Sequence, residues 1–291
     1  MEKPRQTAPF NSFAAHAHAR IAKVGERIRK RAPRKSKATK RAELRRRAPK
    51  HPVGIEARLR LIVAAVARAH NPHLKVAWLH RNARTDAPRA RTVARKELRS
   101  TVTPLAHDMA KNVHAQVAES LGVQARDLEV DLSEQTYGFV DGLVSILEDY
   151  PVEATKRVSQ AFAEWESVAE EDRTREALST LLDGALDGAE SQLQTSVRLL
   201  FGNTFADMNQ ATQKQAGVTG YHWLSRRDGS VRPEHAELDD PDEIYEWDDP
   251  PLKADKSSNG EDDHPGDDYN CRCIAVPAIE SAFGAGEDDS E

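Results

Sequence analysis

Apolar side chains in this chain recur at helical spacing and seldom form longer runs, which narrows the fold before any other feature does. Leu193, Val197, Leu200, Phe201, Phe205 and Met208 lie on one helical stripe, and Gly217 closes it. Leu59, Ile62, Val63 and Val66 repeat the spacing within 55–69, and Asn71-Pro72 is expected to end that helix. A further stretch runs from Thr92 to Leu121, kinked near Pro104 and capped by Gly122. Asp131 with Glu134 resembles a capping box ahead of Tyr137, Phe139, Val140, Leu143, Ile146 and Leu147. Pro151 fits the first turn of another helix, which carries Val158, Phe162 and Trp165, and a further helix covers Glu170 to Leu182. The expected fold class is mainly α, with a helical body over 53–217. The longest apolar run, from Leu61 to Ala67, is far shorter than the roughly 20 residues that cross a bilayer, so no membrane contact is expected.

The two ends of the chain depart from this pattern, and charge shows how. Residues 1–100 carry 28 Lys and Arg against 6 Asp and Glu, whereas the remainder carries 14 against 41. Much of the positive charge is concentrated in Arg27, Arg29, Lys30, Arg31, Arg34, Lys35, Lys37, Lys40, Arg41, Arg45, Arg46, Arg47 and Lys50. With almost no large apolar side chain to bury, residues 1–52 are expected to be a disordered basic arm. The composition of 27–50 suits sequence-blind neutralisation of double-stranded DNA phosphates, and its lack of aromatics argues against base stacking. RNA and acidic protein surfaces fit the same composition. Residues 279–291 form an acidic tail.

Residues 218–278 read as a small, loop-rich α+β unit. Gly220 to Ser225 has strand character, Asp228-Gly229 suits a hairpin-type turn, Pro233 opens a short helix, and Tyr269 to Val276 reads as a closing strand. Both cysteines of the chain lie here, one residue apart. Two cysteines make no disulfide framework, and a bridge within Cys-x-Cys would close a strained ring. Residues two apart on an extended strand share a face, so Cys271 and Cys273 could reach one ion, with His235 and His264 completing a tetrahedral zinc set. His222 or Asp267 could replace one histidine. The competing reading makes the histidines hydrogen-bonded structural residues and the cysteines small hydrophobes. Asp228 and Arg232 are expected to lock the fold by Arg-to-carboxylate bridging, and Trp223 and Trp247 to form its core. No Gly-rich phosphate loop, Gly-x-Ser-x-Gly elbow or His-Glu-x-x-His occurs, so a non-enzymatic role is expected. The alternative is a metal-dependent nuclease or hydrolase centred on His235 and His264.

Several spaced segments occur in a specific order: Gln213–Gly217, Gly220–Trp223, Asp228–His235, Trp247–Pro251, His264–Asp267 and Asn270–Pro277. Over roughly 190–278 this order resembles the phage Mu F-like head morphogenesis family of minor head proteins. The resemblance implies a minor capsid component associated with the portal, acting in head assembly and in packaging or delivery of DNA. The implied partners are portal or capsid proteins, and the implied location is the capsid interior near the portal, after assembly in the host cytoplasm. One departure is visible. The family's Leu-Asp-Gly is here Leu238-Asp239-Asp240-Pro241, which questions the turn geometry at that point.

Overall fold

The computed structural model describes residues 36–79, 95–251 and 264–279. Their elements run α1 (Lys37–Arg47), α2 (Val53–Leu79), α3 (Arg95–Leu121), α4 (Ser133–Ser167), α5 (Arg175–Gln215), β1 (Gly220–Leu224), α6 (Pro233–Glu237), β2 (Tyr245–Glu246) and β3 (Ile274–Pro277). The fold is mainly α, as the apolar spacing implies. No helix among the described residues is long and apolar enough to cross a membrane.

The helices are fewer and longer than their proline residues suggest. Pro72, Pro104 and Pro151 all lie inside helices. Proline removes one N–H and crowds the carbonyl four residues earlier. In α4 that cost is outweighed by burial on both sides of Pro151, through Leu143, Val144 and Leu147 before it and Ala154, Val158 and Ala161 after it. Pro151 therefore opens no new helix, and Pro72 does not end α2. The stripes expected over 170–182 and 193–208 belong to one helix, α5, preceded by a 3₁₀ turn at Glu170–Asp172.

The chain folds as two compact units that interleave along the sequence. Among the described residues, one comprises 52–79, 95–108 and 136–201, and the other comprises 36–51, 109–135, 202–251 and 264–279. The first is helical, with Leu59, Val63, Val102, Leu143, Val158 and Leu182 among its buried residues. Its surface carries the pairs Arg58–Asp108, Lys75–Asp183 and Arg95–Glu148. Exposed pairs of this kind contribute little singly. Inside it, the Tyr150 hydroxyl donates to Asn71 Oδ1 at 2.6 Å.

The second unit holds the sheet, in the order β2-β1-β3 with both pairings antiparallel. The central strand β1 is buried along its whole length. Helix α5 leads into it through Gly217, at φ 78, with Val218 N–H donating to Gln213 O and Gly217 N–H to Lys214 O, each at 3.0 Å. This paired arrangement requires a left-handed residue, which glycine supplies without steric cost. Two buried side chains of α5, Asn209 and Gln213, donate to the Ala275 carbonyl at 2.8 and 3.0 Å. They anchor β3 to the helix.

The structure corrects the expectation of a disordered arm over part of its length. Residues 1–35 lie outside the described residues, but Lys37–Arg47 is helix α1, N-capped by Ser36. Leu44 and Ala48 pack with Leu224 and Val276 in one buried cluster, and His51 stacks on Phe205 with ring centroids 4.2 Å apart. The basic side chains find partners in the same unit. Arg41 Nε donates to Oδ1 of the buried Asp239 at 2.9 Å, and Arg47 donates to the Pro277 carbonyl at 2.7 Å. Lys37 pairs with Asp240 at 2.7 Å, and Lys40 pairs with Asp242. An isolated helix of this length is marginal in water, so α1 depends on this docking.

Two expectations follow. Leu44→Ala should destabilise the sheet unit by about 2–3 kcal/mol, seen as a lower denaturant midpoint and faster amide exchange in α1. Unchanged α1 protection would show that Leu44 does not anchor the helix. Acidification should also loosen α1. Asp240 and Asp242 are held below the ordinary 3.8 by hydrogen bonds from Lys37 and Lys40 respectively. Their contribution is therefore full above the unfolded value and is lost as pH falls through the lower folded values. Hydrogen exchange of α1 across that window should show the loss, and a Lys37→Ala, Lys40→Ala variant should flatten it.

Candidate functional site

The conspicuous segments of the C-terminal quarter converge around β1. After β1 the chain turns at Asp228, whose carboxylate accepts from Ser230 N at 3.1 Å. The turn leads to α6 and not to a pairing strand, so no hairpin forms there: β1 pairs only with β2 and β3. Pro233 occupies the first turn of α6, and His235 is the buried residue of that short helix. On the far side, Asn270 at φ 60 reverses the chain ahead of Cys271, a conformation that Asn tolerates better than most residues. Strand β3 begins only at Ile274, so the two cysteines precede it.

Three donor atoms meet here. His235 Nδ1 lies 3.4 Å from Cys271 Sγ and 3.6 Å from Cys273 Sγ, and all three lie within 4.8 Å of one another. Both cysteines are free thiols. The other face of the imidazole meets a carboxylate, with His235 Nε2 3.4 Å from Asp268 Oδ2. Arg232 holds that same oxygen at 2.7 Å and donates to the Tyr269 carbonyl at 2.6 Å. The Trp223 ring stands edge-on to His235, with centroids 5.3 Å apart. The thiols share hydrogen bonding unequally. The bond from Cys273 lowers the Cys271 thiol against the opposing effect of burial, with His235 contributing further. Cys273 is raised by that same bond and by burial. Hydrogen bonding to Cys271 raises His235 despite its burial.

The other expected ligands lie apart from this cluster. His264 Nδ1 is hydrogen-bonded to the Tyr221 hydroxyl at 3.0 Å, and its ring packs on Trp247 at 5.1 Å. His222 Nδ1 meets the Glu243 carbonyl at 2.7 Å. Asp267 accepts from the His264 backbone N–H at 3.0 Å. His264 is thus not among the three donors that meet at His235, Cys271 and Cys273. Asp228 and Arg232 each bridge to 268–272 rather than to each other: Asp228 pairs with Arg272 at 2.8 Å and Arg232 with Asp268. Trp223 and Trp247 are buried with Tyr221, Cys273 and Ala275.

Two carboxylates of this region carry no mark in the sequence. Only the loop path decides that Asp268, and not its neighbour Asp267, faces His235. Asp239 is 4% exposed, yet its carboxylate accepts from Arg41, from Ser225 Oγ at 2.8 Å and from Arg227 Nε at 2.7 Å. Asp240, which stands where the resemblance expects glycine, is not among the positive-φ residues. The turn there does not require glycine. Of the basic residues assigned to nucleic acid, Lys37, Lys40, Arg41 and Arg47 are engaged within the unit, whereas Arg45, Arg46 and Lys50 are exposed. Arg27, Arg29, Lys30, Arg31, Arg34 and Lys35 lie outside the described residues.

The His264–Asp267 turn rests on α5 through Gly266. That residue has φ +106, and a Cβ there would lie 2.5 Å from Ala206 Cβ. Gly266→Ala is expected to cost roughly 2–4 kcal/mol through backbone strain and overpacking together. Adding Ala206→Gly should recover the packing part and leave the strain. Equal stability of wild type and Gly266→Ala in denaturant titrations would contradict this account.

Comparison with known proteins gives the segment a family. Residues 189–276 match the family described as Phage Mu protein F like protein. A protein of Haemophilus influenzae described as an uncharacterized protein is 36% identical over 76 residues, which is 26% of this chain and 15% of that relative. The chain thus spans well under two thirds of the relative's length. No solved structure matches. The matched residues, 189–276, carry the end of α5, the sheet and the His–Cys cluster, and over them the chain is similar to the Phage Mu protein F like family.

Proposed function

We propose that this chain is a minor head protein of a tailed phage, acting in head morphogenesis without catalysing a reaction. The observation that carries the reading is the family match over 189–276, in which the spaced motifs share one folded unit. On this reading the protein is assembled in the host cytoplasm and resides in the capsid interior beside the portal. Its partners are portal or capsid proteins and the packaged double-stranded DNA.

The DNA contact is narrower than composition alone suggests. Cations already paired within the sheet unit are poor candidates, since phosphate would have to compete with carboxylates held in place. The contact is therefore assigned to Arg27, Arg29, Lys30, Arg31, Arg34 and Lys35, together with the exposed Arg45, Arg46 and Lys50. Removing residues 1–50 outright would be a poor test, because it would also remove Leu44 and the Arg41 partner of the buried Asp239.

Replacing those nine positions by Gln in the full chain should reduce low-salt DNA affinity by more than about tenfold and flatten its salt dependence. The sheet unit should keep its denaturant midpoint. Unchanged affinity and salt slope would remove the DNA contact from this region. For the capsid role, mass spectrometry of purified particles of the phage or prophage encoding the chain should detect it, with cross-links to the portal ring. Its absence from particles and from assembling heads would overturn the reading.

A further inference from the structure

The His235, Cys271 and Cys273 cluster has the geometry of a metal site whose donor set differs from the one the sequence suggests. Zinc–nitrogen and zinc–sulfur bonds of about 2.0 and 2.3 Å at tetrahedral angles set nitrogen-to-sulfur edges of about 3.5 Å. His235 Nδ1 stands 3.4 and 3.6 Å from the two sulfurs, so an ion can reach all three donors with little rearrangement. Two thiolates and one imidazole are soft and borderline donors, which favour zinc over magnesium or calcium.

The surroundings support a ligand. A metal-bound histidine usually gives its second ring nitrogen to a carboxylate, which fixes tautomer and orientation. Asp268 occupies that position beside Nε2, and Arg232 holds Asp268 in turn. His235 is 3% and Cys273 7% exposed, so polar donors are gathered in a desolvated place, where burial is costly unless they are satisfied. The apolar cluster beside them is small, comprising Tyr221, Trp223, Trp247, Cys273 and Ala275. A metal there would cross-link α6 to the segment entering β3, two short stretches that no regular backbone pairing joins.

We propose that His235 Nδ1, Cys271 Sγ and Cys273 Sγ hold a structural zinc ion that ties α6 to the segment entering β3. Asp268 and Arg232 position the imidazole, and His264 takes no part. Water or another donor completes the tetrahedron. This inference does not depend on the DNA contact or on the capsid location.

The test uses the full chain purified under reducing conditions, with metal content by mass spectrometry and thiol titration before and after chelation. The expected result is about one zinc per chain, with both thiols unreactive until the chelator removes it. His264→Gln should retain zinc, and Asp268→Asn should weaken zinc affinity about 10- to 100-fold. A Cys271→Ser, Cys273→Ser variant should lose the ion. Because unfolding of that variant would also release the ion, cobalt titration of the unmutated chain provides an independent readout. Thiolate-to-cobalt charge-transfer absorption with tetrahedral ligand-field bands supports the assignment. Metal-free protein with two reactive thiols, a Cys271–Cys273 disulfide, or loss of zinc in His264→Gln would each overturn it.

Discussion

The buried carboxylate of Asp239 is the constraint around which the C-terminal unit is arranged. A carboxylate with 4% exposure is tolerable only when its charge and both oxygens are answered. Arg41 serves one oxygen, and Ser225 with Arg227 serves the other. Ser225 and Arg227 are near in sequence, but Arg41 lies 198 residues away. The basic N-terminal segment must therefore return to the acidic end of the chain. Once it does, Leu44 meets Leu224 and Val276, and a helix too short to persist alone becomes part of the fold. Removing either charged partner would leave the other poorly compensated, so the contact contributes specificity of docking as well as attraction.

Around that contact the unit is also held by polar locks. Asn209 and Gln213 fasten β3 through a single carbonyl. Asp228 with Arg272 and Arg232 with Asp268 bind the turn after β1 to the loop before β3. The consequence is local precision. The same two bridges that close the loop also set the approach of the cysteines to His235 and the face that His235 turns toward Asp268. Structural ion pairs and the donor cluster are thus one arrangement, which explains why charged motif residues crowd a segment with few large apolar side chains.

The helices were legible because a period of 3.6 residues is a local property, visible without knowing what the face packs against. Their lengths were not. Proline's penalty can be read from sequence, whereas the burial that outweighs it at Pro151 comes from tertiary packing. Helix α1 was hidden for a related reason: one leucine and a row of lysines and arginines look like an unstructured arm until the carboxylates near 240 are brought beside them. In the candidate site, the chemistry of Cys271, Cys273 and His235 is legible in the sequence, and the structure brings the three together. That His264 faces Tyr221 and Asp268 faces His235 is not legible, because sequence order carries no information on which way a loop side chain faces. Tyr221 claims His264 by a hydrogen bond that no spacing rule anticipates.

The charge segregation along the chain consequently has two parts. Between Lys37 and Arg47, much of the positive charge is matched within the unit, chiefly against Asp239, Asp240 and Asp242. Exposed pairs there are weak singly, but they act on a helix already held by Leu44 and by a buried Arg–Asp contact, so little ordering entropy remains to oppose them. The surplus that can act on an outside polyanion is what this matching leaves over. Among the described basic residues of this stretch it sits at Arg45, Arg46 and Lys50. A net charge of -5 says nothing of this division, because it adds charges that neutralise one another within the fold to charges that face outward.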